Sequence, residues 1–115
     1  MDRENKMAVV SHCLLNQNSV VLPLARAKGA FDKVIRVLLE NNLGIYQLPC
    51  PEFFYCGLSR CPQTYDQYDT PGYRSVCANI AQRALTDLAH FAQGKCHIRI
   101  LLGIEGSPTC SLTGR

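Results

Sequence analysis

Apolar and polar positions along this chain fall into two alternating periods. Lys6–His12 (KMAVVSH) is a short apolar run rich in β-branched residues, the pattern of a buried strand. The polar stretch CLLNQNSVV follows as a loop. From Pro23 the period changes. Leu24, Ala27, Phe31, Val34, Ile35 and Leu38 recur at three- and four-residue steps, which predicts a helix. Asn41-Asn42-Leu43-Gly44 stops it, because Asn and Gly tolerate left-handed backbone. Gly44–Leu48 (GIYQL) reads as a second strand, ended by Pro49. Residues Cys50–Asp69 follow neither period and read as irregular. Thr70-Pro71 is an N-cap with proline in the first turn. The helix it opens places Val76, Ile80, Ala84, Leu85, Leu88 and Phe91 on one face and ends at Gly94. His97–Ile104 (HIRILLGI) is almost continuously apolar, which predicts a strand buried on both faces.

The order β-α-β-loop-α-β, with helical crossovers between short apolar strands, predicts an α/β fold with a parallel sheet. The expected architecture is a small three-layer α/β/α core with flavodoxin-like strand order 2-1-3. A length of 115 residues with 47% hydrophobic and 18% charged residues suits one globular domain spanning residues 1–115. The net charge of +3 is spread along the chain without a dense basic run, which argues against nucleic-acid binding. No apolar run is long enough to span a bilayer, and no apolar leader follows MDRENKMAVV, so the expectation is a soluble cytoplasmic protein without membrane contact. The chain ends five residues after Cys110 with no closing helix. Either a partner subunit covers that side of the sheet, as in a homodimer, or the chain is truncated at its C-terminus.

Seven cysteines change the picture. The number is odd and no leader is seen, which favours free thiols over disulfides. Cys13 directly follows the first predicted strand, in SHCLLN. Cys50 directly follows the second, in LPCPE, and Cys110 lies a few residues after the third, in EGSPTC. Parallel strands end on one edge of a sheet, the edge where α/β folds place ligands, so these three residues should converge. Cys77, within a helix, and Cys96, at a strand start, read as small packing residues. Cys56 and Cys61 extend Cys50 into a C-x5-C-x4-C run that matches neither zinc hooks nor a ferredoxin run. Three thiolates leave a bound metal one open position, and soft thiolates favour iron–sulfur clusters or zinc.

SHCLLNQN, CPE and EGSPTC, in this order and spacing, resemble the thiouracil desulfidase family over about Val10 to Cys110. The resemblance implies an oxygen-independent, non-redox desulfuration that converts a thiocarbonyl compound into its carbonyl counterpart plus sulfide. It implies a [4Fe–4S] cluster on three cysteines, here Cys13, Cys50 and Cys110. It also implies a catalytic carboxylate matching Glu52 and a catalytic serine matching Ser107. Asn16 and Ser111 stand where many relatives have glycine, and the CGLSRCPQTYDQYD loop suggests a desulfidase-related subgroup in which thiouracil is one candidate substrate among other thiocarbonyl compounds. Arg60, Tyr68 and Tyr73 are candidates for the pocket wall, and His12 is expected to be a satisfied strand-end histidine. Two other readings remain open on the residues alone. An electron-transfer or cluster-carrier protein would need a fourth cysteine ligand, from Cys56 or Cys61. A zinc-binding interaction module would need no catalytic group.

Overall fold

The structure is a computed structural model that describes residues 1–104 and 107–112. Three parallel strands, β1 (Lys6–Val10), β2 (Gly44–Gln47) and β3 (His97–Leu102), form one sheet in the order β2-β1-β3. The fold class and strand order expected from the pattern are therefore those found. The chain steps from β1 out to β2 and then back across to β3. Right-handed crossovers in opposite directions place their helices on opposite faces of the sheet. The first crossover carries α2 (Asp32–Glu40) and the second carries α5 (Pro71–Gln93).

Alternation along the strands decides what each face meets. Ala8 and Val10 on β1 join Leu14, Leu38 and Leu43 in a buried cluster on the α2 side, with Ile45, Ile100 and Leu102 packed against it. Tyr46 pairs with Val9 and so shares its face, the side covered by α5. There the Tyr46 hydroxyl donates to the Asp87 carboxylate at 2.6 Å, and its ring meets Phe91 edge-on.

Four elements differ from the expectation. The run from Pro23 does not start a helix. Leu22–Leu24 is a 3-10 turn, and α2 begins at Asp32. Polar bonds to Gln17 hold the intervening loop in a non-helical path: the Gln17 N–H donates to Gly29 O, and the Arg26 N–H donates to the Gln17 side chain at 2.9 Å. The segment after β1 is not all loop, since His12–Leu15 forms a short helix, α1. The segment from Cys50 to Asp69 is not irregular throughout: Pro51–Cys56 is helix α3 and Tyr65–Tyr68 is helix α4. Proline at the first helical position costs no hydrogen bond, and Thr64 with Gln67 makes a capping box.

The fourth difference is in β3, which is not buried on both faces. A bulge after Met7 pairs Ile98 with Met7 but Ile100 with Ala8, so Arg99 is skipped. Ile100 and Leu102 then turn to the α2 core, while Ile98 and Leu101 remain 49% and 52% exposed. Helix α5 starts and stops as its sequence predicts, with Thr70 as N-cap and Gly94 as C-cap, although Lys95 takes the left-handed position (φ 63°). Its inward face carries Val76, Ile80, Ala84 and Leu88 as predicted, extended by Tyr73 at the N-terminal end, while Leu85 is left 62% exposed. No helix among the described residues is long and apolar enough to cross a membrane.

Candidate functional site

The three strand ends do bring the expected cysteines together. Cys13, Cys50 and Cys110 all line one cavity of about 200 Å³, together with Glu52, Ser107 and Arg60. The walls between them are Val20, Val21, Leu24, Phe31, Ile104 and Pro108, so the site is an apolar pocket with a few polar groups. Loop residues that a helix from Pro23 would have drawn away, Leu24 and Arg26, form part of this wall. Glu105 and Gly106 of the EGSPTC motif lie outside the described residues.

Cys13 sits in α1, directly beyond β1. Ser11, which precedes α1, accepts no cap bond with its side chain. Instead its N–H and hydroxyl both reach Leu102 O, at 3.0 and 3.2 Å, and so hold the end of β1 to β3. Gln17 fixes the other side of Cys13: its amide donates to Cys13 O at 2.8 Å while its oxygen receives the Arg26 N–H. This glutamine is buried and lines the cavity. Nothing in the sequence marks it, since it stands among the polar residues Asn16, Asn18 and Ser19. Asn16 has φ −150°, extended backbone that any residue adopts, so asparagine is unstrained at this position. His12 Nδ1 lies 3.1 Å from Ser19 Oγ and is a satisfied histidine, as expected.

Cys50 is the N-cap of α3, and its sulfur receives the Phe53 N–H at 3.5 Å. Glu52 falls in the first turn of that helix, where the exposed N–H groups favour negative charge. Gly57 ends α3 at φ 77°, a conformation that favours glycine, and lets the chain double back towards the cavity. Arg60 then donates to Gly57 O at 2.9 Å and to Ser19 O at 2.8 Å, which pins its guanidinium at the wall. The Tyr68 hydroxyl is buried beside Glu52 without meeting hydrogen-bond geometry, and burial followed by the Glu52 charge pushes its ionisation up to about 12. Tyr68 and Tyr73 do not line the cavity; they stack behind it.

Cys110 returns to the sheet through a turn closed by Ile104 N–H to Cys110 O at 3.1 Å. Gly103 makes that return possible, since a Cβ there would collide with Cys110 O. Nothing in its flanking sequence marks it. Ser107 Oγ accepts two N–H groups, from Thr109 at 3.3 Å and from Cys110 at 3.1 Å. Two N–H groups engage the serine oxygen, and its hydroxyl also lies within hydrogen-bonding reach of the Cys110 sulfur.

Burial pushes the Cys13 thiol up to about 11, with the neighbouring Cys110 and Cys50 adding to the shift. Burial also raises Cys50 and Cys110. Thiols in this state ionise readily only when a cation compensates them. Among the described residues, no three His, Cys, Asp or Glu side chains are placed to hold a single metal ion. A [4Fe–4S] cluster makes a different demand, because each thiolate takes a separate iron. Three cysteines lining one cavity are a donor set compatible with that demand. Cys56 and Cys61 are exposed and do not line the cavity, so neither stands as a fourth thiolate there. Cys77 and Cys96 are half-buried away from it.

The uncharacterized protein MJ0003 of Methanocaldococcus jannaschii is 46% identical over 107 residues, covering 93% of this chain and 68% of the relative. The chain belongs to that protein's family. A match of this length includes Cys13, Cys50, Glu52 and Ser107 wherever it begins. No family model and no solved structure matches the chain.

Proposed function

We propose that this chain is a non-redox desulfidase that removes sulfur as sulfide from a thiocarbonyl compound, a thiolated pyrimidine or a similar heterocycle. One observation carries the reading: three strand-end cysteines share a cavity with a carboxylate and a serine. Cys13, Cys50 and Cys110 would hold a [4Fe–4S] cluster, which supplies a thiophilic Lewis acid with an open position for sulfur. Glu52 takes a proton from water as its oxygen attacks the thiocarbonyl carbon. The C–O bond forms, the C–S bond breaks, and the sulfur leaves as hydrogen sulfide with the two protons of the water. No electrons are gained or lost, so no oxidant is needed. Ser107 donates its proton to charge that develops on the substrate. The apolar walls at Val20, Val21 and Phe31 suit a flat ring.

The test is anaerobic reconstitution followed by iron and sulfide analysis, then sulfide release from a panel of thiocarbonyl compounds. The expected result is one four-iron cluster per chain and turnover of at least one compound. A fully loaded protein that releases sulfide from none of them would sink the desulfidase reading. A protein that takes up no iron would sink the cluster as well.

A further inference from the structure

We propose that Tyr73 is a positioning residue for the cavity, its hydroxyl on Thr109 holding in place the turn that bears Ser107 and Cys110. The proposal rests on the reading of those two residues as site residues, and it reaches an element that lies outside the cavity wall.

Tyr73 is fixed from three directions. Its N–H donates to Thr70 Oγ1 at 3.2 Å, which ties its backbone to the N-cap of α5. Its ring packs against Tyr68 at 4.8 Å and Tyr55 at 5.5 Å between centroids. It is 5% exposed. A side chain so confined keeps one rotamer, and its hydroxyl sits where the scaffold puts it. That hydroxyl bonds the Thr109 hydroxyl. Thr109 in turn gives its N–H to Ser107 Oγ, next to the Cys110 N–H on the same oxygen.

Among the described residues, the turn is tied to β3 through Ile104, whose N–H meets Cys110 O and whose carbonyl receives the Ser107 N–H at 3.2 Å, and Ser11 at the end of β1 reaches the Cys110 side chain. The bond to Tyr73 ties its far side to α5. Phenylalanine would pack as well at position 73 but would deprive the half-buried Thr109 hydroxyl of that partner. The tyrosine thus sets where Cys110 and Ser107 stand relative to Cys13 and Cys50 on the other two strands.

Amide hydrogen exchange on the cluster-free full chain reads this directly, because local opening exposes only the amides it frees. Losing one hydrogen bond of ordinary strength should speed exchange at Thr109 and Cys110 about fivefold in Tyr73→Phe, with β1 amides unchanged. Thr109→Val should do the same, and the double variant should add nothing at the turn, since both remove the Tyr73–Thr109 bond and the other contact of the Tyr73 hydroxyl, with Cys77, lies within α5. Tyr55→Phe, which keeps the ring contact, should leave the turn as it is. Unchanged exchange at Thr109 and Cys110 in Tyr73→Phe overturns the proposal. So does a uniform rise across β1 and the turn, which would mean that Tyr73 serves general stability alone. On the loaded protein, Tyr73→Phe should lose iron to a chelator several-fold faster than wild type. If wild type takes up no cluster, the ligand reading falls, and exchange at Thr109 and Cys110 still decides the role of Tyr73.

Discussion

Gly103 has no side chain because the backbone of Cys110 occupies the space where one would be. Adding a methyl group there must push the turn outward, so Gly103→Ala should cost about 1–3 kcal/mol in a denaturant titration and weaken cofactor loading. If the variant loads and unfolds like wild type, the turn is not held where the structure puts it. Glu52 and the thiols make sharper demands. Ala at Cys13, Cys50 or Cys110 should abolish stable iron loading, whereas Cys56→Ser and Cys61→Ser should retain it, their side chains being exposed and off the cavity. Glu52→Gln keeps the shape of the side chain and removes its capacity to take a proton. It should load normally and lose about 10²–10⁴-fold in turnover. Normal turnover in that variant would assign the proton to another group.

Two short pieces of helix do much of the positioning. In α3, Cys50 is both a cavity thiol and the cap of the helix that carries Glu52, so the two residues keep a fixed relation. In α5, the Thr70 cap sets the first turn and therefore Tyr73, and Thr70→Ala should cost roughly 1 kcal/mol of stability. The same helix is locked to the sheet by Tyr46 and Asp87. The hydrogen bond from Tyr46 lowers the Asp87 pKa below the usual carboxylate value. A depressed folded-state pKa contributes stability above the unfolded value of about 3.9 and loses it as pH falls through the folded one. The stability difference between wild type and Asp87→Asn should therefore be full at pH 6 and fade below about pH 4. A difference that stays constant across that range would remove the ionised carboxylate from the account.

Stability in the whole molecule is concentrated on one side of the sheet. Leu38 is 2% exposed in the cluster between β1 and α2, so Leu38→Ala should cost about 2–5 kcal/mol. Leu101 lies on the opposite face of edge strand β3 and keeps half its surface in water, so Leu101→Ala should cost less than about 1 kcal/mol in the isolated chain. Comparable losses in the two variants, read from urea midpoints, would place the core differently. The cavity opens at the C-terminal ends of the strands, supported beneath by this packed layer and behind by the tyrosines of α4 and α5.

The strand order and the meeting of Cys13, Cys50 and Cys110 were legible in the sequence. Both follow from local patterns combined with two chain-wide rules, right-handed crossovers and ligands at the strand ends. The caps at Thr70 and at Asn41-Asn42 were legible for a similar reason: a cap is local chemistry, written within four residues of where it acts. What the sequence did not disclose depends on partners distant along the chain. The stretch from Pro23 to Phe31 has helical spacing, yet bonds from Gln17 hold it as a cavity wall, and propensity is too weak to resist them. The apolar run of β3 says nothing of the bulge that turns Ile98 and Leu101 outward. Gly103 and Tyr73 look ordinary where they stand, because their neighbours, Cys110 and Thr109, are contributed by a turn that only the folded chain brings against them.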